Sequence, residues 1–169
     1  GEETELDVSL KEAVAKATLG VDKNMESYHV ADAVECVFDM LRRANKYIDE
    51  TTPWILAKNE ATMPRLLTVM KNLCEAIRIA AILITPFMPD SSKAILDLLN
   101  VPENARGWNA RCYCADADAQ WTTSTGAALF PRLDVEKELA ALEELSKAQQ
   151  TPAIEIEPYA EEKVDVDTF

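Results

Sequence analysis

Residues 30–54 read VADAVECVFDMLRRANKYIDETTPW, and this stretch decides the fold. Its apolar positions recur every three or four residues, which is the spacing of one buried face of an α-helix. They are Val30, Val34, Val37, Leu41, Ala44 and Ile48. The helix must end before Pro53, because a proline pushes the residue before it out of the helical conformation. We therefore predict a long amphipathic helix, followed by a short turn that Thr52 caps, that Pro53 begins and that places Trp54 at a corner.

Helical patterns flank this stretch on both sides. Apolar residues from Leu6 to Val21 predict a first helix with Gly20 as its stop signal. Those from Leu66 to Ile84 predict a third helix, which Pro86 ends and which should be the most buried element. Short connections between long amphipathic helices favour an antiparallel bundle. The expected fold class is therefore all-α.

The pattern changes after the third helix. A fourth helix is predicted from Ser92 to Leu99, with Asp90 or Ser91 as its cap. From Val101 to Pro131 the periodicity fails, which predicts a long irregular excursion that packs over the bundle or touches another domain. A C-terminal helix is predicted from Val135 to Gln149. We expect residues 1–150 to form one helical domain and the acidic, proline-broken residues 151–169 to form a linker or tail.

Composition excludes several classes of function. The four glycines are scattered, so the chain cannot build a Gly-rich phosphate loop. Its four cysteines do not resemble a disulfide framework, and we expect Cys36 and Cys74 to lie in the core. Cys112 and Cys114 lack the further ligands that a zinc site needs, because the single histidine, His29, is far away in sequence. We therefore predict no metal site and no catalytic residue in this chain.

The distribution of charge limits the choice of partner. The net charge of −13 disfavours broad contact with a polyphosphate. Between Arg42 and Arg78, however, seven basic residues stand against four acidic ones, which allows a focused contact with a few phosphates. The most apolar stretch, Ile77 to Met88, is too short to span a bilayer, and the acidic N-terminus does not resemble a secretory signal. We expect a cytoplasmic protein without a membrane partner.

Trp54 is the candidate functional residue. It follows a helix end that carries basic and amide side chains, and Pro53 fixes the corner on which it stands. An exposed indole in a fixed pose can stack on a nucleobase, and unpaired RNA bases are the usual ligands of such a ring. The alternative is that Trp54 folds back as a lid over the helix joint, since highly buried tryptophan is common. The residue types alone leave both interpretations open.

Three motifs in this order resemble methionyl-tRNA synthetases, which are class I aminoacyl-tRNA ligases. The first is ANKYIDETTPWILAK at residues 44–58, the second is LITPFMP at residues 83–89, and the third is LFPRL at residues 129–133. The similarity covers most of Leu6 to Ser146. It implies the antiparallel α-helix bundle that this family uses to bind the anticodon.

The resemblance also implies a set of residues that contact tRNA. Trp54 corresponds to the tryptophan that stacks on the first base of the CAU anticodon of methionine tRNA. Asn45 and Asp49 correspond to residues of the same helix near that base, where an acidic group can repel wrong anticodons or tRNA backbones. Arg132 corresponds to a basic residue associated with binding of the anticodon loop.

The resemblance further implies that this chain is a piece of a longer enzyme. In the family, ATP and Mg are used by a catalytic domain with HIGH and KMSKS motifs and a zinc-bearing insertion, none of which lies in these residues. We therefore expect a separate catalytic domain as partner, an inactive isolated chain and no cofactor in the chain itself. A first bundle helix is expected before Leu6, so the chain resembles a fragment trimmed at both ends or one completed by a separate chain. The tail resembles the lead-in to an appended oligonucleotide-binding domain of some members.

A second hypothesis belongs to another class of protein, a helical protein-interaction module without RNA binding. From Asp134 to Phe169, three lysines stand against eleven acidic residues. Such an acidic segment suits a basic partner or keeps neighbouring domains apart.

Overall fold

The computed structural model describes residues 3–113, 122–126 and 128–148, and within these ranges every regular element is a helix. The α-helices are α1 (Glu5–Glu26), α2 (Val30–Thr51), α3 (Pro53–Leu56), α4 (Met63–Ile84), α5 (Pro89–Leu98) and α6 (Val135–Ala148). Single 3₁₀ turns lie at Glu60–Thr62, Glu103–Ala105 and Trp108–Ala110. The all-α bundle predicted from the sequence is confirmed.

The bundle consists of the α1–α2 hairpin with α4 packed against both of its helices. Its core is formed by the residues that face inward from these three helices: Leu10, Val14, Ala17 and Val21 of α1; Ala33, Val37, Met40, Ala44 and Tyr47 of α2; and Val69, Leu73, Ala76, Ile79, Ala80 and Leu83 of α4. The buried line of α2 is rotated from the predicted one, so that Val30 is exposed while Tyr47 is fully buried. A tyrosine can occupy this line because its hydroxyl finds a buried partner.

Helix α4 is the most buried element, as the sequence predicted. Its second apolar face packs against α5 and the chain that follows, in a cluster of Cys74, Ala81, Ile82, Leu96, Leu99 and Val101. A helix covered on two sides must be apolar over most of its circumference. Cys74 is therefore buried as predicted, and Cys36 is half-buried against the main core.

The excursion after Val101 is fastened to the bundle by Arg78. This side chain is only 1% exposed, and its guanidinium forms an ion pair with Glu75 at 2.6 Å. It also donates hydrogen bonds to the carbonyls of Ala105 (3.0 Å), Ala110 (2.7 Å) and Cys112 (2.9 Å). Residues 102–113 of the excursion therefore pack over the bundle through these backbone carbonyls and through the side chains of Ala105, Ala110 and Tyr113, which contact the two cores. Trp121 lies outside the described residues.

Two predicted helix boundaries are wrong. Helix α1 does not stop at Gly20 but runs on to Glu26. Gly20 instead faces α2, where an added Cβ would lie 2.7 Å from Cys36 Sγ, so this glycine permits close packing of two helices. Helix α5 begins at Pro89 with Met88 in the cap position, so neither Asp90 nor Ser91 caps it.

The chain divides into two compact units, Gly1–Leu129 and Phe130–Phe169. The second unit contains α6, whose first turn is closed by a hydrogen bond from the Glu138 N–H to the Asp134 carbonyl at 3.0 Å. Its apolar residues Val135, Leu139, Leu142 and Leu145 are exposed. The proposed tail, residues 151–169, lies outside the described residues, so the domain boundary at residue 150 stays a prediction.

Candidate nucleic-acid interface

The chain turns a sharp corner at Thr52, between α2 and α3. Thr52 has a left-handed backbone (φ 43°, ψ 61°), and its N–H donates to the Ile48 carbonyl at 2.9 Å, which ends α2. The Thr52 carbonyl in turn accepts the Ile55 N–H at 2.8 Å, which starts α3. Thr52 thus occupies the predicted cap position, but its hydroxyl makes no capping hydrogen bond. The corner predicted from Pro53 is present.

Trp54 stands on this corner with its ring half open to solvent. The residue is 53% exposed, and the neighbouring Ile55 is exposed as well, whereas Leu56 packs against the core. A ring acting as a lid over the helix joint would be buried, so the lid interpretation is wrong for this chain. The indole is instead available as an aromatic surface.

The segment after Trp54 is held by side-chain hydrogen bonds. The Thr62 hydroxyl lies 2.7 Å from the Leu56 carbonyl and 2.8 Å from the Asn59 carbonyl, and it donates toward both. The Asn59 side chain accepts the Ala61 N–H at 3.0 Å. Helix α3 also rests on α4. The corner that carries the ring is therefore fixed on both sides.

Asn45 and Asp49 are exposed on the last turns of α2. They are four residues apart, so one helical turn and about 6 Å of rise separate them on the same face. Tyr47, between them in sequence, points inward and is fully buried. The structure thus brings Asn45 and Asp49 to the helix end that leads into the Trp54 corner.

Arg132 belongs to the second compact unit, where it is exposed just before α6. The assignment of Arg132 to the anticodon loop therefore stays a prediction.

The predicted basic zone between Arg42 and Arg78 is not a free cationic surface. Five of its seven basic residues are ion-paired: Arg42 with Glu35 and Asp39, Arg43 and Lys46 with Glu50, Arg65 with Asp7, and Arg78 with Glu75. The count of charges along the sequence therefore overstated the attraction for phosphates, because carboxylates from outside the zone pair with Arg42 and Arg65. Lys58 is exposed four residues beyond Trp54.

Asp7 is a buried residue that the sequence reasoning missed. Its carboxylate accepts hydrogen bonds from the Tyr47 hydroxyl, from Asn72 at 2.9 Å and from Arg65 at 2.6 Å. Thr4 adds a backbone N–H at 2.7 Å. The sequence contained one indication of its burial: Asp7 lies three residues before Leu10, on the same buried face of α1.

The pKa values of this cluster follow from its burial and hydrogen bonds. Burial by itself would raise the pKa of the Asp7 carboxyl, but the hydrogen bonds from Arg65, Tyr47 and Thr4 outweigh it and hold the pKa well below its usual range. Burial, followed by the hydrogen bond to Asp7, raises the pKa of Tyr47 to about 12. The carboxylate is therefore charged and the phenol neutral at pH 7.

The described residues offer no group of three or more His, Cys, Asp or Glu side chains that could hold a metal ion. None of the helices in the described ranges combines the length and apolar character that crossing a bilayer requires.

Comparison with known families identifies relatives of this chain. Residues 1–138 match the family described as the anticodon binding domain of methionyl tRNA ligase. The methionine–tRNA ligase of Caldanaerobacter subterraneus subsp. tengcongensis is 36% identical over 167 residues, which are 98% of this chain and 25% of that protein. The Clostridium tetani enzyme is 40% identical over 149 residues, 88% of this chain and 22% of that protein.

Solved structures give the same result. The free-state methionyl-tRNA synthetase of Mycobacterium tuberculosis superimposes with a TM-score of 0.70 at 32% identity, over 79% of this chain and 27% of that one. The same enzyme bound to methionyl-adenylate gives 0.69 at 33% identity, over 78% of this chain and 26% of that one. The chain spans about a quarter of the length of these relatives.

Proposed function

The chain belongs to the family of methionyl-tRNA ligase anticodon-binding domains, and from that premise we propose that it binds the CAU anticodon loop of methionine tRNA. The ligase of which such a domain is part attaches methionine to tRNA with ATP and Mg at a separate catalytic domain. This chain contributes recognition of the tRNA and cannot attach methionine by itself. It works in the cytoplasm beside the catalytic domain and, in some members of the family, beside an appended oligonucleotide-binding domain.

The observation that carries this proposal is the half-exposed Trp54 ring on a fixed corner. Stacking of one base on an aromatic side chain contributes about 1–3 kcal/mol. A ring whose backbone is already fixed loses little conformational entropy when a base binds, so most of this energy is available for affinity. We assign Trp54 to the first base of the anticodon.

The polar residues near the corner supply selection. Asn45 presents an amide that both donates and accepts hydrogen bonds, so it can pair with a base edge. Asp49 presents a negatively charged carboxylate, which accepts hydrogen bonds but donates none. It therefore repels phosphates and tolerates base edges that donate a hydrogen bond, such as the cytosine amino group. Arg132 is assigned a phosphate of the loop.

Substitution of Trp54 by alanine tests this proposal. We expect Trp54→Ala to weaken binding of a CAU anticodon stem-loop by about 1–3 kcal/mol, or roughly 5- to 150-fold. The matched control is Trp108→Ala, since Trp108 is also partly exposed (36%) but lies on the excursion. Its removal should leave the affinity unchanged. Equal affinity of Trp54→Ala and the unchanged chain, with the variant still folded, would contradict the proposal.

A salt series separates recognition from general phosphate attraction. Because Arg42, Arg43, Arg65 and Arg78 each pair with a carboxylate of the chain itself, fewer cations of this zone are available for counterion release. We expect a shallow dependence of affinity on salt and weaker binding of unrelated RNA. Steep dependence without sequence preference would show nonspecific binding.

The alternative, a helical protein-interaction module, is favoured by α6, whose apolar face is exposed between acidic side chains. It would become the better account if no anticodon stem-loop bound the chain.

A further inference from the structure

A buried polar cluster lies beneath the helix end that carries the proposed anticodon site. Tyr47 of α2 donates its hydroxyl hydrogen to one carboxylate oxygen of Asp7 in α1. Asn72 of α4 donates to the same oxygen at 2.9 Å and lies 3.3 Å from the Tyr47 hydroxyl oxygen. The other carboxylate oxygen accepts Arg65, also of α4, at 2.6 Å. One carboxylate therefore joins the start of α1, the end of α2 and the first half of α4.

The cluster is connected to Trp54 by a short and rigid stretch of chain. The Thr51 hydroxyl donates to the Tyr47 carbonyl at 2.6 Å, and the Thr52 N–H donates to the Ile48 carbonyl at 2.9 Å. Pro53 follows with its fixed φ, and Trp54 comes next. A rotation or slide of the end of α2 would move Asn45, Asp49 and Trp54 together, because they share this one rigid segment.

A hydrogen bond can fix such a movement where apolar packing cannot. A phenyl ring at position 47 would fill the same space, but apolar contacts are non-directional and tolerate small slides of one helix on another. A hydroxyl hydrogen bond to a buried carboxylate is directional and charge-assisted, so it selects one register. Fixing register is the best-attested use of buried polar groups.

We propose that Tyr47 and Asp7 are positioning residues for the anticodon site: their hydrogen bond sets the register of the end of α2 and so the pose of Trp54. This inference rests on the proposed function. Neither residue contacts the RNA, because both side chains are fully buried. They act through the exposed ring.

A double-mutant cycle between Tyr47→Phe and Trp54→Ala tests this proposal. If Tyr47 acts mainly through Trp54, Tyr47→Phe weakens binding of the CAU stem-loop by about three- to tenfold in the unchanged chain. The loss is clearly smaller when Trp54 is already alanine, because only Asn45 and Asp49 are then displaced. A merely structural role would give the same loss in both backgrounds. Either that result or no loss in the unchanged chain would overturn the proposal.

Tyr113→Phe is the matched control. It removes the same hydroxyl group from the same cluster, because the Tyr113 hydroxyl donates to the side-chain oxygen of Asn72. Tyr113 lies on the excursion rather than on α2, so we expect the affinity for the stem-loop to stay unchanged. A loss equal to that of Tyr47→Phe would attribute the effect to the whole cluster and contradict the specific role of Tyr47.

A spectroscopic measurement tests the pose of the ring without RNA. In the chain labelled with 5-fluorotryptophan, Trp54→Phe assigns the ¹⁹F resonance of Trp54. Tyr47→Phe should shift or broaden this resonance and leave that of Trp108 unchanged, while Tyr113→Phe should leave the Trp54 resonance unchanged. An unmoved Trp54 resonance would overturn the proposal.

If Tyr47→Phe does not fold, Asp7→Asn takes its place in the double-mutant cycle with Trp54→Ala, with the same expected result. This variant keeps an acceptor oxygen but removes the charge.

The two proposals fail differently. If Trp54→Ala itself leaves the affinity unchanged, the proposed function fails. If Trp54→Ala weakens binding while Tyr47→Phe shows no coupling to it, only the positioning role fails.

Discussion

Thr52 is the residue on which the Trp54 corner turns. It has a φ of 43°, a region that costs a residue with a side chain about 1–2 kcal/mol and suits a β-branched residue least. Such strain persists only where the surroundings hold it. Before Thr52 the chain is held by the end of α2. After it, the chain is fixed by Pro53 and by the hydrogen bonds of the Thr62 hydroxyl. A stiff residue at the turn limits the orientations open to the ring.

Replacement of Thr52 by glycine should change stability and binding in opposite directions. Glycine relieves the strained backbone, which stabilises the fold, but it also adds entropy to the unfolded chain, which offsets part of the gain. The free energy of unfolding should therefore rise by up to about 1 kcal/mol. The looser corner should weaken binding of the stem-loop. Urea denaturation and calorimetric titration measure the two effects.

Tyr28→Gly is the control for this prediction. Tyr28 also has a left-handed backbone (φ 60°), but it lies in the α1–α2 connection at the other end of α2. Its replacement should stabilise the fold without changing the affinity. Equal effects of both variants on binding would show that strain at Thr52 has no special role.

At the scale of helices, the sequence pattern predicted which elements exist but not which polar residues they bury. Spacing located α2 and α4, because their apolar residues dominate the helix faces. Arg78 and Asn72 are buried on α4 nevertheless. Apart from Glu75 on α4 itself, their partners come from residues 105–113, from α1 and from α2, and no local pattern contains that information.

Gly20 shows the same limit for glycine. Near the end of an apolar pattern it resembles a helix stop, and local propensity favours that interpretation. The close approach of Cys36 from the next helix decides the matter instead. The candidate site is the reverse case. Pro53 and the residues around it determine the corner locally, so the position of Trp54 could be predicted from the sequence, whereas the Asp7 cluster beneath it could not.

Removal of the Arg78 guanidinium should release the excursion. Arg78→Met leaves the Glu75 carboxylate and the carbonyls of residues 105, 110 and 112 without these donors, so the free energy of unfolding should fall by about 3–5 kcal/mol. Hydrogen exchange of the amides in residues 103–113 should speed up more than exchange in α1 and α2. The double variant Arg78→Met/Glu75→Leu should recover part of the loss. Unchanged exchange in residues 103–113 would contradict the anchoring role.

For the whole molecule, the buried charge of Asp7 makes stability depend on acid. Its pKa is lowered on folding, so its contribution is complete above the pKa of the unfolded chain, near 3.8, and is lost as the pH falls toward the lower folded value. We expect the urea concentration at the unfolding midpoint to decrease when the pH is lowered from 5 to 3. The decrease should be smaller for Asp7→Asn, although that variant is less stable than the unchanged chain at pH 7.

Asp97 provides the control for this prediction. Hydrogen bonds from Lys93 and Arg106 also lower its pKa, but these groups meet at the surface. High salt should therefore remove the effect of Asp97→Asn and leave that of Asp7→Asn. An identical pH dependence of Asp7→Asn and the unchanged chain would contradict the buried ion pair.

The central claim is that the Trp54 ring lies on the first anticodon base. The most direct measurement titrates the unchanged chain and Trp54→Ala with two stem-loops, the CAU loop and the same loop with the first anticodon base removed. The account predicts that Trp54→Ala costs about 1–3 kcal/mol of binding energy with the intact loop and nothing with the abasic loop. An equal loss with both loops would show that the ring and the base do not meet.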